Sequence, residues 1–138
     1  MKNTVVDSSV IVKWLNQIDE KFLKQADELL KDAQAKSVSL LAPELSKYEI
    51  GNALLKKQLK ISLANEALGT VSKLPIRFIP ESESLAKETY RIAREAEITY
   101  YDASFIALAK QENASLVTDN SKHQGKTKEI KVITLKDY

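Results

Sequence analysis

The chain has 138 residues, 43% of them hydrophobic, with no cysteine and 21 basic against 19 acidic side chains for a formal net charge of +2. That length is one domain's worth of chain, enough to bury a core without staples. The missing cysteines exclude disulfides, thiolate metal sites and cysteine nucleophiles, and the near balance of charge makes no case for nucleic acid by itself.

Asn3 to Val6 is a β-branched run that reads as a central strand, tipped by Asp7 and passing straight into Ser8, Ser9 and the apolar Val10, Ile11, Trp14 and Leu15 of a first helix. This N-terminal stretch is too short and too charged for a signal peptide or a membrane span, so a cytoplasmic protein is expected. Between Asp19 and Lys36, Phe22, Leu23, Ala26, Leu29, Leu30 and Ala33 recur at helical spacing with charge on the other face. Val38 to Ala42 reads as a second strand. Pro43 suits the first turn of a helix running to about Gln58, whose apolar positions include Leu45, Tyr48, Ile50, Ala53, Leu54 and Leu55. Ser62 is placed to cap a fourth helix that Pro75 closes, and Ile76 to Ile79 is an outer strand ended by Pro80. A helix from about Glu81 to Ala96 follows. Ala103 to Ala109, apolar almost all round, predicts a buried helix. Ala114 to Thr118 and Lys131 to Leu135 complete the strands. Strands alternating with helices predict an α/β domain with a parallel sheet covered on both faces.

Four carboxylates stand where strands or helices begin or end: Asp7, Glu49, Asp102 and Asp119. Each alone has a plain structural role: Asp7 as a helix cap, Glu49 as a surface acid beside a lysine, Asp102 in a capping box begun by Thr99, and Asp119 in an Asx turn. Together, two acids at strand ends and two on flanking helices are how a hard-cation site is assembled in an open parallel sheet. Oxygen-only ligands suit Mg²⁺ or Mn²⁺, which lower the pKa of bound water and stabilise the oxygens of a phosphodiester displacement. His123 is the sole histidine and reads as a solvated surface residue, so a metal-free two-histidine ribonuclease mechanism is excluded.

Asp7-Ser8-Ser9, the segment from Pro43-Glu44-Leu45 to Glu49-Ile50-Gly51-Asn52-Ala53-Leu54, Tyr101-Asp102-Ala103 and Leu116-Val117-Thr118-Asp119-Asn120 together resemble the PIN-domain ribonucleases, and among them the VapC-like toxins of toxin-antitoxin pairs. The resemblance runs nearly end to end. It implies a three-layer α/β/α sandwich with five parallel strands in order 3-2-1-4-5, magnesium-dependent RNA cleavage, a homodimer and a cognate antitoxin. Asp7, Glu49 and Asp102 match the family's acids, and Asn52, Thr118 and Ser8 its supporting polar positions. The fourth position departs from the pattern. Many members read Thr-x-Asp where this chain reads Thr118-Asp119-Asn120, so either Asp119 supplies the carboxylate or Asn120 stands in as a weaker ligand.

Lys13, Lys56, Lys57, Arg91, Arg94, Lys122 and Lys126 are candidates for phosphate contacts, and Tyr100 and Tyr101 for base stacking. A Rossmann nucleotide binder is disfavoured because no glycine-rich turn follows the first strand, and a phosphoacceptor domain because Ile76 to Ile79 ends in no aspartate. The remaining alternative is a domain of the same fold that binds RNA or protein without catalysis.

Overall fold

The computed structural model describes residues 1–138, the side chain of His123 excepted, so the expectation for that residue lies outside the described side chains. In chain order the elements are β1 (Lys2–Val6), α1 (Ser8–Leu15), α2 (Leu23–Gln34), β2 (Val38–Pro43), α3 (Ser46–Lys56), α4 (Ile61–Val71), β3 (Ile76–Ile79), α5 (Glu83–Ala96), α6 (Tyr100–Gln111), β4 (Ser115–Thr118), α7 (Ser121–Gln124) and β5 (Val132–Thr134), followed by a 3₁₀ turn at Leu135–Asp137. All strand pairs are parallel, in the order β3-β2-β1-β4-β5.

The sandwich follows from the period-two alternation of the strands. Val6, Leu40, Ala42 and Val117 pack toward α1 to α4, with Ile11, Leu29, Ile50 and Leu54. Their neighbours Val5, Leu41 and Leu116 point the other way, into the layer built by Leu85, Ile92, Phe105, Ile106 and Leu108 of α5 and α6. Helix α6 is buried from Ala103 to Ala109, as a helix apolar on all sides must be. The chain fills the sheet outward from β1 to β3, then crosses back to lay β4 on the other side of β1. The carboxyl ends of β1 and β4 therefore frame the crevice where ligands bind in open α/β sheets.

Several boundaries differ from the expectations. Pro43 ends β2 instead of opening α3, because the chain is still pairing there: the Glu44 N–H donates to the Ile79 carbonyl at 2.9 Å, and the Ser46 hydroxyl donates to the Pro43 carbonyl at 2.7 Å. Ser62 does not cap α4, which begins one residue earlier from Lys60. Of the apolar positions of α3, Ile50 and Leu54 are buried while Tyr48 and Leu55 face outward. The short α7 was not expected at all.

Candidate active site

Asp7 occupies the N-cap position of α1 in extended backbone, yet its side chain makes no capping hydrogen bond. It is buried instead beneath hydroxyls. The Ser9 hydroxyl donates to Asp7 Oδ2 at 2.6 Å and the Thr118 hydroxyl to the same oxygen at 3.1 Å, while Gln124 Nε2 approaches Oδ1 at 3.4 Å. The backbone helps to seat it, since the Asp7 N–H donates to the Val117 carbonyl at 3.0 Å. Burial pushes the Asp7 carboxyl above its ordinary range, opposed by the hydrogen bonds from Ser9, Thr118 and Gln124. The capping role is thus displaced by a costlier one.

Glu49 reaches the same place from α3. The Ser8 hydroxyl donates to its Oε1 at 2.8 Å, tying α3 to the start of α1. Desolvation raises the Glu49 pKa, the Ser8 hydrogen bond opposes it, and repulsion from Asp7 and Asp102 raises it further. Asp102 stands in the first turn of α6, whose N-terminus is fixed by Thr99: the threonine hydroxyl accepts from the Asp102 N–H at 3.0 Å. The Thr99 N-cap bond and the proximity of Asp102 to Glu49 are both present, without a return bond from the Asp102 carboxylate to the Thr99 N–H among the described residues. Among the described residues, Asp7, Glu49 and Asp102 have no salt bridge.

Asp119 faces elsewhere. Its Oδ2 lies 2.9 Å from Lys13 Nζ, which also contacts Glu20 Oε1 at 3.0 Å and donates to the Lys21 carbonyl at 2.7 Å. Lys57 closes the far side of this network on Glu20 at 2.8 Å. The Asp119 N–H donates to the Ser9 hydroxyl at 3.1 Å, so Asp119 touches the acid pocket through its backbone. Thr118 accepts from the Asn120 N–H at 3.0 Å while donating to Asp7; the Asn120 side chain is exposed. Asn52 is exposed on α3, without a hydrogen bond to the acids among the described residues.

The phosphate candidates divide. Lys13 is buried in its ion pairs, Lys57 is committed to Glu20, and Arg91 is held by Glu88, Glu95 and Glu129, so none of the three is a free surface cation. Lys56, Arg94, Lys122 and Lys126 are exposed. Tyr101 is 60% exposed, whereas the Tyr100 hydroxyl donates to Glu81. Both tyrosines border an apolar cavity of about 250 Å³ between the ends of β2 and β3 and the first turn of α6. Sequence reasoning missed Ser9 and Gln124 as partners of Asp7 and the burial of Lys13. For Lys13 there was a signal, a lysine set between Val12 and Trp14 in an otherwise apolar helix.

The PIN-domain family model matches residues 4–129. The chain belongs to the PIN-domain family. No curated protein matches this PIN domain in sequence. Among solved structures it is similar to VapBC2 from Rickettsia felis bound to a DNA fragment from their promoter, with 20% identity, a TM-score of 0.70 and coverage of 96% of this chain and 98% of that one. It is also similar to FitAcB from Neisseria gonorrhoeae, with 15% identity, a TM-score of 0.75 and coverage of 98% and 99%. A third is VapC20 from Mycobacterium tuberculosis, described as a sarcin-ricin loop cleaving toxin, with 15% identity, a TM-score of 0.67 and coverage of 88% and 93%. These likenesses establish a shared fold. No helix of the described residues is long and apolar enough to cross a membrane.

The donor set of this PIN domain suits a hard divalent cation. It is made of oxygen alone, and the forces that lift these acids, desolvation at Asp7 and Glu49 and repulsion from Asp7 and Asp102 at Glu49, are relieved by a positive charge. Among the described residues no three such side chains are close enough to hold one ion as they stand. Mg²⁺ does not require three, since it keeps several waters and binds through one or two carboxylates together with substrate phosphate.

Proposed function

We propose that the protein is a Mg²⁺- or Mn²⁺-dependent endoribonuclease and the toxin of a toxin-antitoxin pair, acting in the cytoplasm. The observation that carries this reading is the convergence of Asp7, Glu49 and Asp102 at the crevice of the sheet, with hydroxyls and an amide for partners and no basic side chain paired to any of them among the described residues. A buried carboxylate without a counter-charge is costly to fold around. Asp7 and Asp102 would hold the ion, with Glu49 beside them. The bound cation supplies a lowered pKa for the attacking water and neutralises charge on the phosphodiester. The chain's own part is to orient. Ser9 and Thr118 fix one oxygen of Asp7, Ser8 fixes Glu49, and the Thr99 cap holds the turn that carries Asp102. The exposed Lys56, Lys122 and Lys126 are suited to phosphates flanking the scissile bond.

In this reading Asp119, already neutralised by Lys13, contributes less than the other three. The antitoxin would cover the acid pocket with a basic side chain, since an arginine satisfies paired carboxylates bidentately. The active form would be a homodimer. The test is cleavage of single-stranded or looped RNA by purified protein with Mg²⁺, with Mn²⁺ and with EDTA. Metal-dependent cleavage leaving 5′-phosphate ends is expected, with the product of a neighbouring small gene as inhibitor. Full activity in EDTA, or a cyclic-phosphate product, overturns the reading. Light scattering checks the dimer.

A further inference from the structure

Gln124 is the last residue of α7 and is buried, 1% exposed, with its amide turned into the acid pocket. Nε2 lies 3.4 Å from Asp7 Oδ1 and 3.5 Å from the Asp102 main-chain carbonyl. Both facing atoms are acceptors, so the amide orientation follows from chemistry: the flipped group would set a carbonyl oxygen against two others. The other end, Oε1, is buried without a hydrogen-bond partner among the described residues. More than space-filling is involved, because the amide is the one side-chain donor to Asp7 Oδ1 among the described residues, while its own oxygen is left without a partner. The turn that presents it is also tightly wound. The Gly125 N–H donates to the Ser121 carbonyl at 2.7 Å, and a Cβ at Gly125 would meet that same oxygen at 2.6 Å.

We infer that Gln124 is a positioning residue of the acid site, its amide setting the orientation of Asp7 against the first turn of α6 so that Asp7 and Asp102 address one cation. The inference rests on the metal-dependent reading above. It also gives the orphaned Oε1 a use, since the water shell of a divalent cation is a source of the donors this atom lacks. Partners that orient metal-binding carboxylates typically matter 10- to 100-fold in metal affinity or activity.

The decisive comparison is wild type with Gln124→Met, which keeps the volume and removes both polar ends, and Gln124→Asn, which keeps the amide but withdraws it by one methylene. Each is stripped with EDTA and titrated with Mn²⁺, following the metal's paramagnetic resonance signal and the melting temperature, and then assayed for RNA cleavage. Gln124→Met is expected to bind Mn²⁺ about 10- to 100-fold more weakly and to lose kcat with KM little changed. Gln124→Asn is expected to show the same loss of Mn²⁺ affinity and decides the matter if the Met variant does not fold. Wild-type Mn²⁺ affinity in the folded variants overturns the positioning role while leaving the nuclease reading intact. A wild type that binds no Mn²⁺ overturns both.

Discussion

Two clusters of charge in this protein obey opposite rules. On the outer surface, Arg91 and Lys110 share Glu88 and Glu129, and each carboxylate is lowered by hydrogen bonds from the two cations, Glu88 to about 2. In the crevice, Asp7 and Glu49 are raised by burial, Glu49 also by the neighbouring Asp7 and Asp102, with only neutral donors in opposition. The surface network is complete within the chain yet worth little, since solvent and salt screen it. The crevice is incomplete in charge and therefore expensive. Natural chains retain such a cost where function requires it, and acids raised by burial in a cleft are candidate functional groups on physical grounds.

Substitutions in the two regions sharpen this contrast, and the largest effect is expected at Asp7. Asp7→Asn should reduce RNA cleavage to background while leaving the metal-free melting temperature equal or higher. The sign of its pH dependence follows from the raised pKa. Between the ordinary carboxylate range and the raised value, the folded state binds more protons than the unfolded state, so stability falls as pH rises through that window. Metal-free melts of wild type across mildly acidic to neutral pH should show this decline, and Asp7→Asn should flatten it. A decline of equal slope in both proteins would remove Asp7 as its source.

Next in size is Lys13→Met. It strips a buried ammonium from Glu20 and Asp119, though Glu20 keeps Lys57, and should destabilise the fold by about 1.5 to 3 kcal/mol in urea unfolding, the range for hydrogen bonds to charged groups. A neutral result would mean that the network is solvated in practice. Metal comes third. Mn²⁺ at a hundred times its Kd should stabilise wild type by about 2.7 kcal/mol, and Asp102→Asn should shrink that gain without lowering metal-free stability. Asp119→Asn should shrink it less. The smallest effect belongs to the surface network: Glu129→Gln should leave the melting temperature near wild type at high salt, with cleavage unchanged.

Legibility from sequence followed the same division. Helix α6 was readable because burial on all sides writes itself as an almost unbroken apolar run, and strand Ile76–Ile79 because its apolar residues alternate with the exposed Arg77 at the edge of the sheet. Asp7, Glu49, Asp102 and Asp119 stood out in the sequence because of their places at strand ends and on helices, but nothing local showed that the Asp119 side chain turns to Lys13. Pro43 misled because its lack of an N–H is tolerated both in a helix's first turn and at a strand's end, and only the pairing with Ile79 decides between them. Lys13 was read as a candidate phosphate contact because its actual partners, Glu20 and Asp119, come from loops whose approach is a tertiary fact. Gln124 carried no signal: a glutamine in a polar stretch looks solvated until a four-residue helix turns it inward.

The hydrogen bond between Asp7 and Thr118 spans 111 positions of sequence, and β1 pairs with β4 across the same interval. Closing so long a loop is an entropic cost met only once the intervening layers can pack, so the crevice belongs to the late steps of folding. A ribosome making this chain releases Asp7 more than a hundred residues before Thr118 and Gln124. Until then β1 has one open edge, a row of unpaired peptide groups that invites pairing with a stranger. A chain that stalls before Ser115 should therefore be inert toward RNA and prone to aggregate. On the nuclease reading proposed above, strand order would hold back the acid crevice until β4 has been made.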